Sequence, residues 1–196
     1  MVAQRRDEWL SLEDFLALDR ESLDQRYEYI DGHMVAMAGG SSNHSALAAK
    51  AIALIDSHLD TSPCTTFNSD MTLKIDDVCF LPDVMVSCHE KDLGESKTYI
   101  EFPKLVIEVL SPSTMRKDRG VKFQYYTNCP SIQEYVLISQ DKMLVEVYTR
   151  EGLEWEGREY TSGETVEFKS IGLSFPIEKL YRRVLLPREE VIHEPY

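Results

Sequence analysis

Lys104-Leu105-Val106-Ile107-Glu108-Val109-Leu110 is an apolar, β-branched run with one carboxylate inside it. A run of this kind reads as a strand covered on both faces. A second such run, Cys79-Phe80-Leu81-Pro82-Asp83-Val84-Met85-Val86, carries Asp83. An ionised carboxylate in such a place costs several kcal/mol, roughly, unless something compensates it. A divalent cation compensates two carboxylates at once and explains why both residues are acidic. The competing reading puts each carboxylate at a strand end, wet or paired with an Arg or Lys. Side chains alternate along a strand, so Glu108 shares a face with Val106 and Leu110, while Ile107 and Val109 point the other way. If the two strands are neighbours, Asp83 and Glu108 converge at one end of a sheet. Oxygen ligands of that kind suit Mg2+ or Mn2+, with water completing the shell.

Around these strands the chain alternates between helical and extended patterns. Ser11-Leu12-Glu13-Asp14 opens a short helix with Ser11 as its N-cap. Arg26–Met37 reads as a hairpin turning at Asp31-Gly32. The Gly39–Asn43 loop offers Ser42 or Asn43 as the cap of a helix running to about Leu59, with Leu47, Ala51, Leu54 and Ile55 as its buried stripe. Three strands are expected over Thr65–Ile75, Phe80–Ser87 and Lys104–Leu110, with a loop from His89 to Tyr99 between the last two. Ser111-Pro112-Ser113-Thr114 breaks the chain before a second helix over Asp118–Asn128, which Pro130 follows. Glu134–Ser139 reads as a strand, and antiparallel strands follow with turns at Glu151-Gly152, Glu156-Gly157 and Ser162-Gly163. The end, Arg188–Tyr196, reads as polar and extended or loosely docked. The fold class is therefore α/β, more closely an α+β mixed sheet flanked by helices with extra antiparallel strands. At 196 residues it is expected to be a single domain, with a core over 11–150 and a C-terminal antiparallel extension over 151–196.

Composition narrows the function. Hydrophobic residues make up 43% and charged residues 28%, as in an ordinary water-soluble domain. No apolar run is long enough to span a membrane, and the N-terminus lacks the apolar segment of a secretion signal. A net charge of −13 argues against a protein that coats nucleic acid non-specifically. It leaves room for an enzyme that meets nucleic acid through a local basic patch and a bound metal. The four cysteines, Cys64, Cys79, Cys88 and Cys129, contain no Cys-x-x-Cys pair and read as reduced packing residues of a cytoplasmic protein.

Such a patch follows Glu108 directly. Met115-Arg116-Lys117-Asp118-Arg119-Gly120-Val121-Lys122 holds four basic residues and one acidic one. On a helix Asp118 and Lys122 are one turn apart, with Tyr125 and Tyr126 a turn further. That spacing is either a solvated i,i+4 pair or a lysine aimed at the carboxylate strand, where it would stabilise charge in phosphoryl transfer. Glu28 in the hairpin is either a further metal ligand or water-orienting group, or a solvated carboxylate. His44 at a helix start fits a phosphate contact or an ordinary cap. Asp70 reads as solvated, and Trp9 and Trp155 as packing residues.

The order Pro82-Asp83, then Ile107-Glu108-Val109-Leu110-Ser111-Pro112-Ser113-Thr114, then Asp118 and Lys122, resembles the Uma-two family of restriction endonucleases, within the PD-(D/E)XK nuclease superfamily. Tyr27-Glu28-Tyr29-Ile30-Asp31-Gly32 and His44 resemble its N-terminal part, and the likeness covers about residues 11–150. It implies a restriction-endonuclease-like core and Mg2+- or Mn2+-dependent hydrolysis of DNA, with Asp83 and Glu108 as metal ligands. The sequence departs from the superfamily where a Lys is expected two residues after Glu108; Leu110 stands there. Lys122 is the candidate replacement, and Gln124 the second choice. Arg116, Lys117, Arg119, His44 and Gln124 would then hold the DNA backbone. A homodimer is expected. The rival readings are a scaffold on a nuclease fold without turnover and an enzyme acting on a small phosphate ester.

Overall fold

Two mixed sheets packed face to face, with helices on either side, organise the chain in the computed structural model, which describes residues 9–22, 25–37, 39–94 and 97–187. The end of the sequence, Arg188–Tyr196, lies outside the described residues.

Helix α1 (Leu12–Glu21) starts where the sequence signals it, because the Ser11 side chain accepts the Asp14 N–H. Strands β1 (Tyr27–Ile30) and β2 (His33–Ala36) form the hairpin. Asp31 and Gly32 both take positive φ, as its two-residue turn requires. Helix α2 (Ser42–Leu59) is capped by Ser41, not by Ser42 or Asn43: the Ser41 hydroxyl accepts the His44 N–H at 3.1 Å.

The expected long strands divide. Thr65–Ile75 becomes β3 (Thr65–Asn68) and β4 (Thr72–Ile75), and the halves join different sheets. Asn68 Oδ1 accepts the Asp70 N–H and folds the chain between them into a turn that breaks the run. The next run divides at Leu81-Pro82-Asp83 into β5 (Val78–Phe80) and β6 (Val84–Ser87); proline has no N–H with which to continue a ladder. After β7 (Tyr99–Ile100) comes β8 (Pro103–Leu110), the strand carrying Glu108. The chain then crosses over through α3 (Met115–Lys117), a π-helical turn (Asp118–Lys122) and α4 (Phe123–Asn128). It returns as β9 (Glu134–Ser139), parallel to β8. Strands β10 (Leu144–Glu151) and β11 (Glu154–Thr161) form a long hairpin. Gly157 lies inside β11 rather than in a turn. It faces Tyr148, and a Cβ there would sit 3.0 Å from that ring, so the glycine makes room for the tyrosine. Strands β12 (Thr165–Phe168) and β13 (Leu173–Pro176) and helix α5 (Ile177–Tyr181) complete the described chain.

One sheet has the order β2-β1-β5-β4-β7 and the other β11-β10-β9-β8-β6-β3. Alternation along β8 sends Ile107 and Val109 toward α2 and the C-terminal segment, and Val106 and Leu110 toward the first sheet and α4. A smaller cluster of Phe15, Tyr29, Met34 and Cys79 seats α1 on the hairpin.

The cysteine expectation needs correcting. Cys64 and Cys88 form a disulfide, while Cys79 and Cys129 are free and buried. Thr65 pairs with Ser87 in the antiparallel β3–β6 ladder, so the residues just outside that pair face each other. A separation of 24 residues carried no motif that could reveal this. Trp9 also departs from its expected packing role, being 73% exposed. Trp155 does pack: its indole N–H donates to Thr127 O, and its ring lies against the Arg150 guanidinium.

Candidate functional site: a buried carboxylate and lysine centre

The centre sits where β8 ends and the crossover begins. Val84 pairs with Ile107, so Asp83 and Glu108 meet at one end of neighbouring strands, as their positions in the sequence suggested. Asp83 Oδ2 accepts the Val109 N–H at 2.7 Å and lies 3.2 Å from His44 Nε2 at the start of α2. Glu108 projects between the sheets, where Tyr126 Oη donates to its Oε1 at 2.9 Å. Glu28 reaches the same space from β1, and its Oε1 accepts the Leu81 N–H at 3.2 Å.

Lys122 joins these groups. Its Nζ lies 2.8 Å from Glu108 Oε1, 2.9 Å from Glu28 Oε1 and 3.5 Å from Asp118 Oδ1. All four residues are at most 3% exposed. Asp118 and Lys122 are therefore no solvated surface pair. The π-helical turn between them widens the helix at the point where both side chains turn inward. Lys117 pairs with the other oxygen of Glu28. Arg119 pairs with Glu146 on β10, and Arg116 and Gln124 are exposed. Of the residues proposed to touch the DNA backbone, Lys117, Arg119 and His44 are thus already engaged by carboxylates. Leu110 is buried in the apolar core.

Of the three carboxyl groups sharing Lys122, the balance of burial and charge lowers the pKa of one and raises that of the other two. Burial opposes charge on Glu28, but Lys122 and Lys117 outweigh it and keep the carboxyl below its ordinary pKa. Burial drives Glu108 well above the carboxylate range, and its share of Lys122 does not offset this. Asp118 is raised by burial as well. For Lys122 burial opposes the charge, yet Glu108, Glu28 and Asp118 together hold it strongly protonated. Burial also disfavours a charged His44, but its contact with Asp83 and the nearby Asp118 raise its pKa.

Sequence reasoning passed over Asp118 as a site residue. Its Oδ1 is buried without a hydrogen-bond partner. Four acidic side chains, Glu28, Asp83, Glu108 and Asp118, thus converge on one buried centre, with Lys117, Lys122 and His44 as their partners. Carboxylate oxygens are the hard donors that a divalent cation takes. As the side chains stand, no three His, Cys, Asp or Glu residues among those described form a ready metal cluster. Lys122 fills the space between the carboxylates instead.

The β-α-β crossover of a mixed sheet thus brings the carboxylates and the lysine together at the end of β8. Residues 12–178 match the Uma2 family, described as "Putative restriction endonuclease", and the chain belongs to that family. It is 39% identical over 176 residues to the uncharacterized protein slr1290 of Synechocystis sp., covering 88% of this chain and 92% of that one. It is 36% identical over 135 residues to sll1609 of the same organism, covering 67% and 76%. A crystal structure from Anabaena variabilis, described as a "putative nuclease belonging to DUF820", superposes with a TM-score of 0.74 over 90% of this chain and 99% of that one. At 22% identity that likeness speaks for the fold.

Proposed function

We propose that the protein is a Mg2+- or Mn2+-dependent endodeoxyribonuclease that hydrolyses DNA phosphodiester bonds. The observation that carries this reading is the convergence of Glu28, Asp83, Glu108 and Asp118 on one buried centre, with Asp118 Oδ1 lacking a hydrogen bond, in a chain of a restriction endonuclease family. Asp83 and Glu108 would hold the metal, with Asp118 adjoining and Glu28 in support. When bound, the metal supplies charge neutralisation at the phosphate and activation of water. Lys122, held protonated, would turn from the carboxylates toward the phosphate oxygens or the attacking water. Tyr126 fixes the rotamer of Glu108. His44, beside Asp83, and the exposed Arg116 would contact the strand.

The rival is a nuclease fold that binds without turnover. It is favoured by the three carboxylates already saturating Lys122 and by the missing Lys at position 110. Calorimetric titration of Mn2+ or Mg2+ into wild type and Glu108→Ala, with plasmid nicking on the same samples, separates the two. Nicking by wild type, with binding and nicking both lost in the variant, supports the endonuclease. Binding without nicking favours the rival. No binding makes the carboxylates structural and sinks the metal assignment.

A further inference from the structure

A second basic site lies away from the carboxylates. Helix α2 and the β13–α5 segment enclose a cleft of about 400 Å3. Lys50, His58, Lys179 and Arg182 line it over an apolar floor that includes Leu54 and Phe175, and no carboxylate is among the lining residues. Among the described residues none of these four side chains forms an ion pair, whereas Lys117, Arg119 and Lys122 all do. Lys50 Nζ donates to Arg182 O, and His58 Nε2 donates to Ile171 O at 2.9 Å, so both side chains are tethered to the C-terminal segment. Three unpaired cations and a histidine converging on one concavity are out of keeping with a net charge of −13. Such a cluster repels itself, and an anion relieves that repulsion.

We propose that this cleft binds the phosphate of a nucleotide, with the cations on the phosphate and the apolar floor under the nucleoside. The nucleotide comes either from a nucleic-acid strand or from a free mononucleotide. Lys50 lies six residues along α2 from His44, about 9 Å at the helical rise. A strand engaged at the carboxylate centre would therefore need only a short further reach. The strand source rests on the endonuclease reading; the free-nucleotide source does not.

The test measures binding of dodecathymidylate by anisotropy and of thymidine 5′-monophosphate by calorimetry, in EDTA, to the full chain. The exposed pair is changed as Lys179→Glu with Arg182→Glu, and more mildly as Lys179→Gln with Arg182→Gln. The control, Lys91→Glu with Lys97→Glu, makes the same charge change on another exposed loop. Expected is a loss of at least tenfold in the cleft reversal, a smaller loss in the glutamine pair and less than twofold in the control. For the oligonucleotide, the log–log salt slope should also fall by about 1.4, two single-strand phosphate contacts at about 0.7 each. Loss for the oligonucleotide alone assigns the strand source, and loss for both probes the free nucleotide. Failure of wild type to bind either probe, or equal losses in cleft and control variants, overturns the proposal. Binding is read in EDTA without turnover, so a failed catalytic assignment leaves this result readable.

Discussion

At Glu108 the fold holds a carboxylate in a place that disfavours its charge. Burial raises its pKa, and Lys122 is shared with Glu28 and Asp118. A group raised in this way weakens the fold wherever it must ionise, that is, as pH rises above the ordinary carboxylate range. Glu108→Gln keeps the shape and removes the charge. In EDTA at neutral pH it should therefore melt above wild type, by on the order of 1 kcal/mol or roughly 2–4 °C for a chain of this size. Added Mn2+ should narrow the gap by stabilising only wild type. A lower melting temperature in EDTA would make Glu108 a structural ion-pair partner. Lys122→Met gives the opposite sign. It strands buried carboxylates without their cation, at a cost of about 3–5 kcal/mol. Mn2+ should restore part of that loss in calorimetric melts, and no restoration would separate the lysine from a cation site. The sequence pointed to Asp83 and Glu108 because a carboxylate is conspicuous in an apolar strand. Asp118 was hidden, since an Asp one helical turn before a Lys looks the same buried or solvated.

What places Asp118 and Lys122 inside is an element, the π-helical turn, that no periodicity in the sequence announces. Gly120 sits in it at an ordinary φ, and a Cβ there would meet nothing within 4 Å. Gly120→Ala should thus gain about 0.5–1 kcal/mol of helix propensity and leave the site unmoved. A melting temperature below wild type would show that the turn depends on the flexibility of glycine. The divided strands follow the same logic. Apolar alternation signals extended chain, but it does not say which of two sheets each half joins. That was decided by the Asn68–Asp70 turn and by Pro82. Helix α1, the hairpin turn and strand β9 were legible because caps, turn residues and β-branched runs act locally. The Cys64–Cys88 bridge was not, because cross-strand register brings it together. Closing a loop of 24 residues, it should contribute about 3 kcal/mol. Dithiothreitol should lower the urea midpoint of wild type and leave Cys64→Ser with Cys88→Ser unchanged. An equal response in both would remove the bridge from the stability of the chain.

Across the whole molecule, the C-terminal strands that look like an addition to the nuclease core are part of its interior. Val166, Phe168, Leu173, Phe175, Ile177, Leu180 and Tyr181 are all buried, in one cluster with α2 and the α2-facing side of the six-stranded sheet. Polar contacts fasten the same segment. The buried Glu134 carboxylate accepts the Lys169 and Ser170 N–H groups, each at 2.8 Å. Tyr181 Oη donates to Ser139 O at 2.7 Å. At about 1.5–3 kcal/mol for each buried apolar side chain, these seven residues represent on the order of 10–20 kcal/mol of gross burial. Their loss would leave the facing apolar side chains of α2 and the sheet uncovered, in a domain whose net stability is only about 5–15 kcal/mol. The first turn of α2, the helix so exposed, positions His44 beside Asp83. A chain ending at residue 162 should therefore lose its cooperative thermal transition by circular dichroism. It should also lose cation binding by calorimetry, although every carboxylate of the centre is still present. A truncated chain that melted cooperatively and bound Mn2+ like wild type would show instead that residues 11–150 fold without the extension.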